Sequence, residues 1–210
     1  MTTPRKRSAG APRFRGDPGK RLVILLCAGA LALTGCSTGD DAVDVNNGGE
    51  FRFVEGTPRG DVIPEDDRAT APEFGGTLLD GEEFSSTELA GDVAVINFWG
   101  SWCAPCRVET PEFQAVYADV ADQGVQFLGI DVKDQRQLAI AFVDSVGATY
   151  PSLFDPRGEV ALAFRGFPAN VVPSTILLDR LGRVAAVYTG QVSGDDLRTA
   201  VALVLEEGPA

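Results

Sequence analysis

A near-continuous apolar run, Val93 to Phe98, leads into Trp102-Cys103-Ala104-Pro105-Cys106. Such a run reads as a strand covered on both faces of a sheet. Pro105 fits the first turn of a helix, where its missing N–H costs nothing. The helix predicted from about Ala104 to Gln123 carries Phe113, Val116, Tyr117 and Val120 at helical spacing, and Gly124 ends it. The two cysteines therefore sit three residues apart at a strand-to-helix junction. Free N–H groups and the helix dipole favour negative charge there. An ordinary thiol, with a pKa of about 8.5, is only a few per cent thiolate at neutral pH, and a helix N-terminus or a CxxC motif lowers that pKa. Cys103, the first and normally more exposed sulfur, is placed to attack a disulfide. Cys106, one turn deeper, is placed to resolve the mixed disulfide. A merely structural bridge between such close neighbours would close a small loop and stabilise little.

The N-terminus decides which thiols compete. Residues 1–21 carry seven Lys or Arg and the single acid Asp17, and an apolar stretch follows from Leu22 to Leu33. This pattern describes a secretory signal. Leu22 to Gly35 is 14 residues, whereas a spanning helix needs about 20. The exit, Leu33-Thr34-Gly35-Cys36, resembles a bacterial lipobox, which implies lipid on Cys36 and a membrane anchor. An ordinary signal peptide with an incidental cysteine is the alternative. Of four cysteines, Cys27 would leave with the signal and Cys36 would carry lipid, leaving Cys103 and Cys106 as free thiols. The destination compartment permits disulfides.

Charge divides at the same point. The whole chain is −12, but residues 1–35 are net positive and the chain from Cys36 onward is −18. An acidic domain of this kind is repelled by nucleic acid and by anionic lipid. The chain has no His and the mature domain would have no free Cys besides Cys103 and Cys106, so a Cys-rich or Cys/His zinc site is excluded within one chain and no metal is expected. The lack of a Met after Met1 argues against a dedicated copper site.

The expected organisation is a signal at 1–35, a lipidated N-terminus with a polar tether and irregular lead-in at 36–70, and one domain at 71–210. Asp80-Gly81 marks a hairpin turn. Val125 to Val132 is a second buried strand, Gln135 to Val146 a helix stopped by Gly147, and Tyr150 to Asp155 a short extended piece. Glu159 to Phe164 is a short helix. Ser174–Leu178 and Val184–Tyr188 form an antiparallel pair across Asp179-Arg180-Leu181-Gly182. A last helix starts at Ser193, with Asp196 in a capping-box arrangement.

The run Phe98-Trp99-Gly100-Ser101-Trp102-Cys103-Ala104-Pro105-Cys106-Arg107 resembles the active-site run of the thioredoxin superfamily, and the likeness extends over about residues 71–206. Pro111 matches a proline inside the active-site helix. Val172-Pro173-Ser174-Thr175 matches the loop that bears a cis-proline opposite the active site. The resemblance implies a three-layer α/β fold with a central mixed sheet and an N-terminal hairpin. It implies that Trp102, Val172 and Pro173 bind substrate. Asn97 stands where cytoplasmic thioredoxins usually carry a buried Asp, which puts that proton relay in doubt. Glu109 matches an acidic position of the extracytoplasmic TlpA/ResA-like proteins, and Lys133 to Phe154 matches their inserted helix and strand. Glu109 then tunes the thiols or moves protons, since a nearby carboxylate raises a thiol pKa. Its alternative is a solvated helix face, and the same holds for Arg107.

These features imply dithiol–disulfide exchange with protein substrates outside the cytoplasmic membrane, apocytochrome c among them, with a membrane electron donor restoring the dithiol. The Cys103–Cys106 disulfide would itself be the redox centre, with no cofactor. Two rivals use the same thiols: a copper-binding or apocytochrome-holding module, and a thiol peroxidase.

Overall fold

The computed structural model describes residues 60–164, 166–167 and 169–208. The expected signal, the polar tether and Cys36 lie outside them. A small antiparallel hairpin, β1 (Gly75–Thr77) and β2 (Glu83–Ser85), opens the fold. Asp80 Oδ1 accepts the Glu82 amide at 3.0 Å, and Gly81 takes the positive φ of 101° that the turn requires.

The central sheet comprises β3 (Val93–Trp99), β4 (Val125–Val132), β5 (Ser152–Asp155), β6 (Ser174–Leu178) and β7 (Val184–Thr189). Its order is β5-β4-β3-β6-β7. β3, β4 and β5 run parallel, whereas β6 and β7 are antiparallel additions. All seven residues of β3 are buried, which explains why all but Asn97 are apolar.

Among the described residues, four α-helices cover the sheet: α1 (Ala104–Val120), α2 (Arg136–Val146), α3 (Glu159–Ala163) and α4 (Gly194–Glu206). Alternate residues along each strand feed two cores. Val93 and Val95 pack with Phe113 and Val116 of α1 and Leu197 and Val201 of α4. Ala94, Ile96 and Phe98 pack on the other face with Val160, Phe164 and Leu78. The layers are thus helices, mixed sheet, and helix with hairpin.

Local signals hold at the element ends. Gly124 and Gly147 take φ of 75° and 67° where helices stop. At Ser193 only half of the expected capping box forms: Ser193 Oγ accepts the Asp196 amide at 3.1 Å, but the Asp196 carboxylate takes the Ser193 hydroxyl rather than its amide. The lead-in is more ordered than its prolines suggest. Ile63 donates its amide to Ala185 at 2.7 Å. Arg68 is buried against Asp179 at 3.1 Å and Glu207 at 2.5 Å. Packing thus extends ahead of Ala71.

Among the described residues, no helix is long and apolar enough to cross a membrane.

Candidate active site

Cys103 is the N-cap of α1 and Cys106 lies in its first turn. Their sulfurs are joined in a disulfide, with Cα atoms 5.3 Å apart. Cys103 Sγ accepts the Cys106 amide at 3.3 Å, so the first sulfur occupies the anion-favouring position of the helix. Both residues are buried, Cys103 at 3% exposure and Cys106 at 0%. They pack with Trp99 from β3 and with Ala139 and Phe142 from α2, and Val172 packs on the edge of that cluster. α2 is thus a wall of the site.

The Val172–Pro173 peptide is cis, and Pro173 is buried where β6 begins. Trp102 is half exposed, its indole N–H donating to the Val132 carbonyl at 3.1 Å. Gly100 makes room for that indole: a Cβ there would stand 2.5 Å from Trp102 Nε1. A cleft of about 750 Å³ opens beside this turn, with Trp102, Arg107, Lys133, Leu138 and Phe142 among its walls. A separate cleft of about 400 Å³, at the Leu178 end of β6, includes none of the predicted site residues.

Glu109 lies one turn beyond Cys106 on the buried face of α1. It is fully buried, and the solvated alternative is excluded. Asn97 Nδ2 donates to its Oε1 at 2.8 Å, and the Val192 amide donates to its Oε2 at 2.9 Å. Burial outweighs both bonds and pushes the Glu109 pKa up to about 7. A carboxyl poised near neutrality can accept or release a proton during thiol exchange. Asn97, on β3 opposite Thr175 of β6, fixes this acid rather than titrating itself. Arg107 is exposed on the helix. Its guanidinium sits 5.2 Å over the Phe142 ring and donates to the Ser101 carbonyl at 3.3 Å.

Two features escaped the sequence reading. The Val192 amide comes from a loop 83 residues downstream of Glu109 and carries no local signal. Asp131, fully buried in β4, did leave one: an acid inside a strand with both faces covered.

A cysteine pair at a helix start, on a sheet of this topology, defines the class of thiol–disulfide oxidoreductases. The sequence profile of the AhpC/TSA family matches residues 68–187. The thiol-disulfide oxidoreductase ResA of Geobacillus thermodenitrificans is 32% identical over 130 residues, 62% of this chain and 73% of the relative. A DsbF homologue from Corynebacterium diphtheriae superposes with a TM-score of 0.68 at 36% identity, covering 74% of this chain and 99% of that one. A secreted thiol-disulfide isomerase from Corynebacterium glutamicum gives 0.69 at 34% identity, covering 74% and 98%. The chain belongs to the AhpC/TSA family and has the thioredoxin-like fold. Within it, the chain is a thiol–disulfide oxidoreductase of ResA/DsbE type.

Proposed function

We propose that this chain reduces disulfides of proteins outside the cytoplasmic membrane, with oxidised apocytochrome c as a substrate. The observation that carries the reading is the Cys103–Cys106 disulfide capping α1, one turn from a buried carboxyl poised near neutrality. In the reduced enzyme, the Cys103 thiolate attacks one sulfur of the substrate disulfide. That bond breaks, a mixed disulfide forms, and the departing substrate thiolate takes a proton. Cys106, deprotonated with Glu109 as acceptor, then attacks Cys103 Sγ and releases the second substrate thiolate. Two electrons pass to the substrate, leaving the disulfide seen here. A membrane electron donor restores the dithiol. Val172 packs against the cysteine cluster, and in this reading Trp102, Val172 and Pro173 receive the substrate chain.

The secreted relative in Corynebacterium supports an extracytoplasmic location, as does the apparent signal ahead of Cys36. Lipid on Cys36 anchors the chain to the outer face of the membrane. Intact mass of membrane-extracted protein tests this, and an unmodified Cys36 removes the anchor.

The main experiment is the Cys106→Ser variant offered a peptide with an oxidised haem-attachment cysteine pair. A trapped adduct on Cys103 is expected. No adduct, together with stoichiometric Cu(I) capture by the wild type, would favour a copper-binding module. Peroxide turnover by the reduced protein, again with no adduct, would favour a peroxidase. A reduction potential near the strong-oxidant end of the family, about −120 mV, would reverse the direction of electron flow.

A further inference from the structure

Asp131 is the least accommodated acid among the described residues. It is fully buried in β4, and neither carboxylate oxygen receives a hydrogen bond from any N–H or side-chain donor. Leaving a carboxylate in that state costs several kcal/mol. Its register partners are Trp99 on β3 and Phe154 on β5. Side chains opposite one another in a parallel ladder share a face. Asp131 therefore lies on the face of Trp99 and Asn97, which is the face that carries the disulfide.

One polar group does meet it, the side chain of Asp134. Two carboxylates cannot hydrogen-bond each other, but an acid and a carboxylate can. Asp134 is the ionised member. Its Oδ2 accepts the Ser101 amide at 2.6 Å and its Oδ1 accepts the Gln135 amide at 2.7 Å. Burial opposes its charge, yet the bonds from Ser101, Gln135 and Asp131 hold its pKa below the ordinary value. Asp131 is the neutral member: burial first, then the negative charge of Asp134, pushes its pKa up to about 8. The other charges acting on Asp131 are Arg136, which opposes the rise, and Asp155 of β5, which adds to it. Neither cysteine titrates in the disulfide state.

The Asp134 loop grips the redox turn at two points. Val132 accepts the Trp102 indole and Asp134 accepts the Ser101 amide, with Lys133 between them at a φ of 55°. That left-handed conformation is uncommon for a side chain of this kind, so the loop is held in shape by its bonds.

We propose that Asp131 is a positioning residue for the redox turn: as a neutral acid it donates its proton to Asp134, and so holds the carboxylate that fixes Ser101, two residues ahead of Cys103. Raising the pH removes that proton to solvent. The two adjacent charges then repel, and the grip on Ser101 loosens. Its bearing on catalysis rests on Cys103 and Cys106 being the redox pair.

NMR of the oxidised full chain tests this without thiol titration. The Asp131 carboxyl carbon and the Ser101 amide nitrogen are expected to inflect together near pH 8 in the wild type. Glu109→Gln should leave that inflection in place. Asp131→Asn keeps a donor toward Asp134 but cannot ionise. It should abolish the Ser101 inflection and retain amide protection at pH 7. Asp131→Val removes the donor and should speed Ser101 amide exchange by roughly tenfold. A Ser101 inflection that persists in Asp131→Asn overturns the proposal, and if Asp131→Val does not fold, Asp131→Asn decides alone. The reduction potential should differ between wild type and Asp131→Asn above pH 8 and agree at pH 6. An equal difference at both pH values sinks the coupling. Failure of the protein to exchange with dithiothreitol would sink the redox reading while leaving the Ser101 titration intact.

Discussion

Asn97 Nδ2 donates to Glu109 Oε1 at 2.8 Å, tying the strand that precedes the redox turn to the helix that follows it. The same amide nitrogen lies 3.1 Å from Thr175 Oγ1 and 3.4 Å from the Ser174 carbonyl, at the start of the strand that follows Pro173. One side chain thus links β3, α1 and β6, the three elements that bring the cysteines and the Val172–Pro173 loop together. The buried carboxyl of the site thus sits on the helix, and Asn97 on the strand orients it.

Replacing Glu109 by Gln should flatten part of the pH dependence of stability. A carboxyl whose pKa rises from 4.5 unfolded to about 7 folded binds its proton more tightly in the native state. Its contribution to stability is complete below the unfolded value, falls as pH rises between the two, and is gone above the folded value. Urea unfolding of wild type and Glu109→Gln at pH 4, 5, 6, 7 and 8 measures this. The variant should gain about 3 kcal/mol relative to wild type across that interval. Any constant offset reports changed hydrogen bonds to Asn97 and Val192, and parallel curves would show that Glu109 is not protonated at neutral pH.

Arg68→Ala should destabilise the domain by about 3 kcal/mol. The Arg68 side chain is 1% exposed, and its loss leaves Asp179 and Glu207 without their shared cation. Arg183 still reaches Asp179 at 2.7 Å, which limits the damage. Equilibrium unfolding at pH 7 reads the difference. A change below about 0.5 kcal/mol, the range of ordinary surface substitutions, would show that residues 60–70 do not pack as described.

Trp102→Ala should lower kcat/KM for a disulfide-bonded protein roughly tenfold or more, the usual effect of removing an aromatic anchor from a contact surface. The indole is half exposed, fixed to Val132 and set on the wall of the cleft beside the cysteines. Oxidised glutathione presents no protein surface for the indole to bury and should lose much less. Equal losses for both substrates would mean that Trp102 supports the turn and does not bind the protein.

The elements of this fold were legible because their signals are local. Gly124, Gly147 and Asp80-Gly81 mark stops and turns within a few residues, and the buried strands announce themselves by composition. The cysteine pair was legible for the same reason, since a spacing of three needs no knowledge of the rest of the chain. The environment of Glu109 was not, because a helix-face position becomes buried only when Asn97 and the Val192 loop close over it. Arg68 looked like part of an irregular lead-in, since its partners Asp179 and Glu207 are more than a hundred residues away. Asp131 went unmarked although an acid inside a buried strand is an anomaly, and its partner Asp134 becomes informative only through the bond to Ser101.

Gly129→Ala tests how tightly the layer behind the disulfide is filled. A Cβ at this position would stand 2.6 Å from Trp99 Nε1 and 2.3 Å from Ser152 Oγ. Trp99 is 2% exposed and packs on Phe142 with ring centroids 5.3 Å apart, in the cluster that holds both cysteines. It has nowhere to move without disturbing the sulfur pair. Overpacking of this kind costs about 1–3 kcal/mol. Adding Ser152→Gly to Gly129→Ala removes one of the two obstructions and should recover part of the loss. Thermal unfolding of the two variants gives the coupling, and Trp99 fluorescence in a Trp102→Phe background reports whether the indole has shifted. If Gly129→Ala is neutral in stability and spectrum, the indole is not wedged against β4, and the buried wall of the active site is looser than these contacts require.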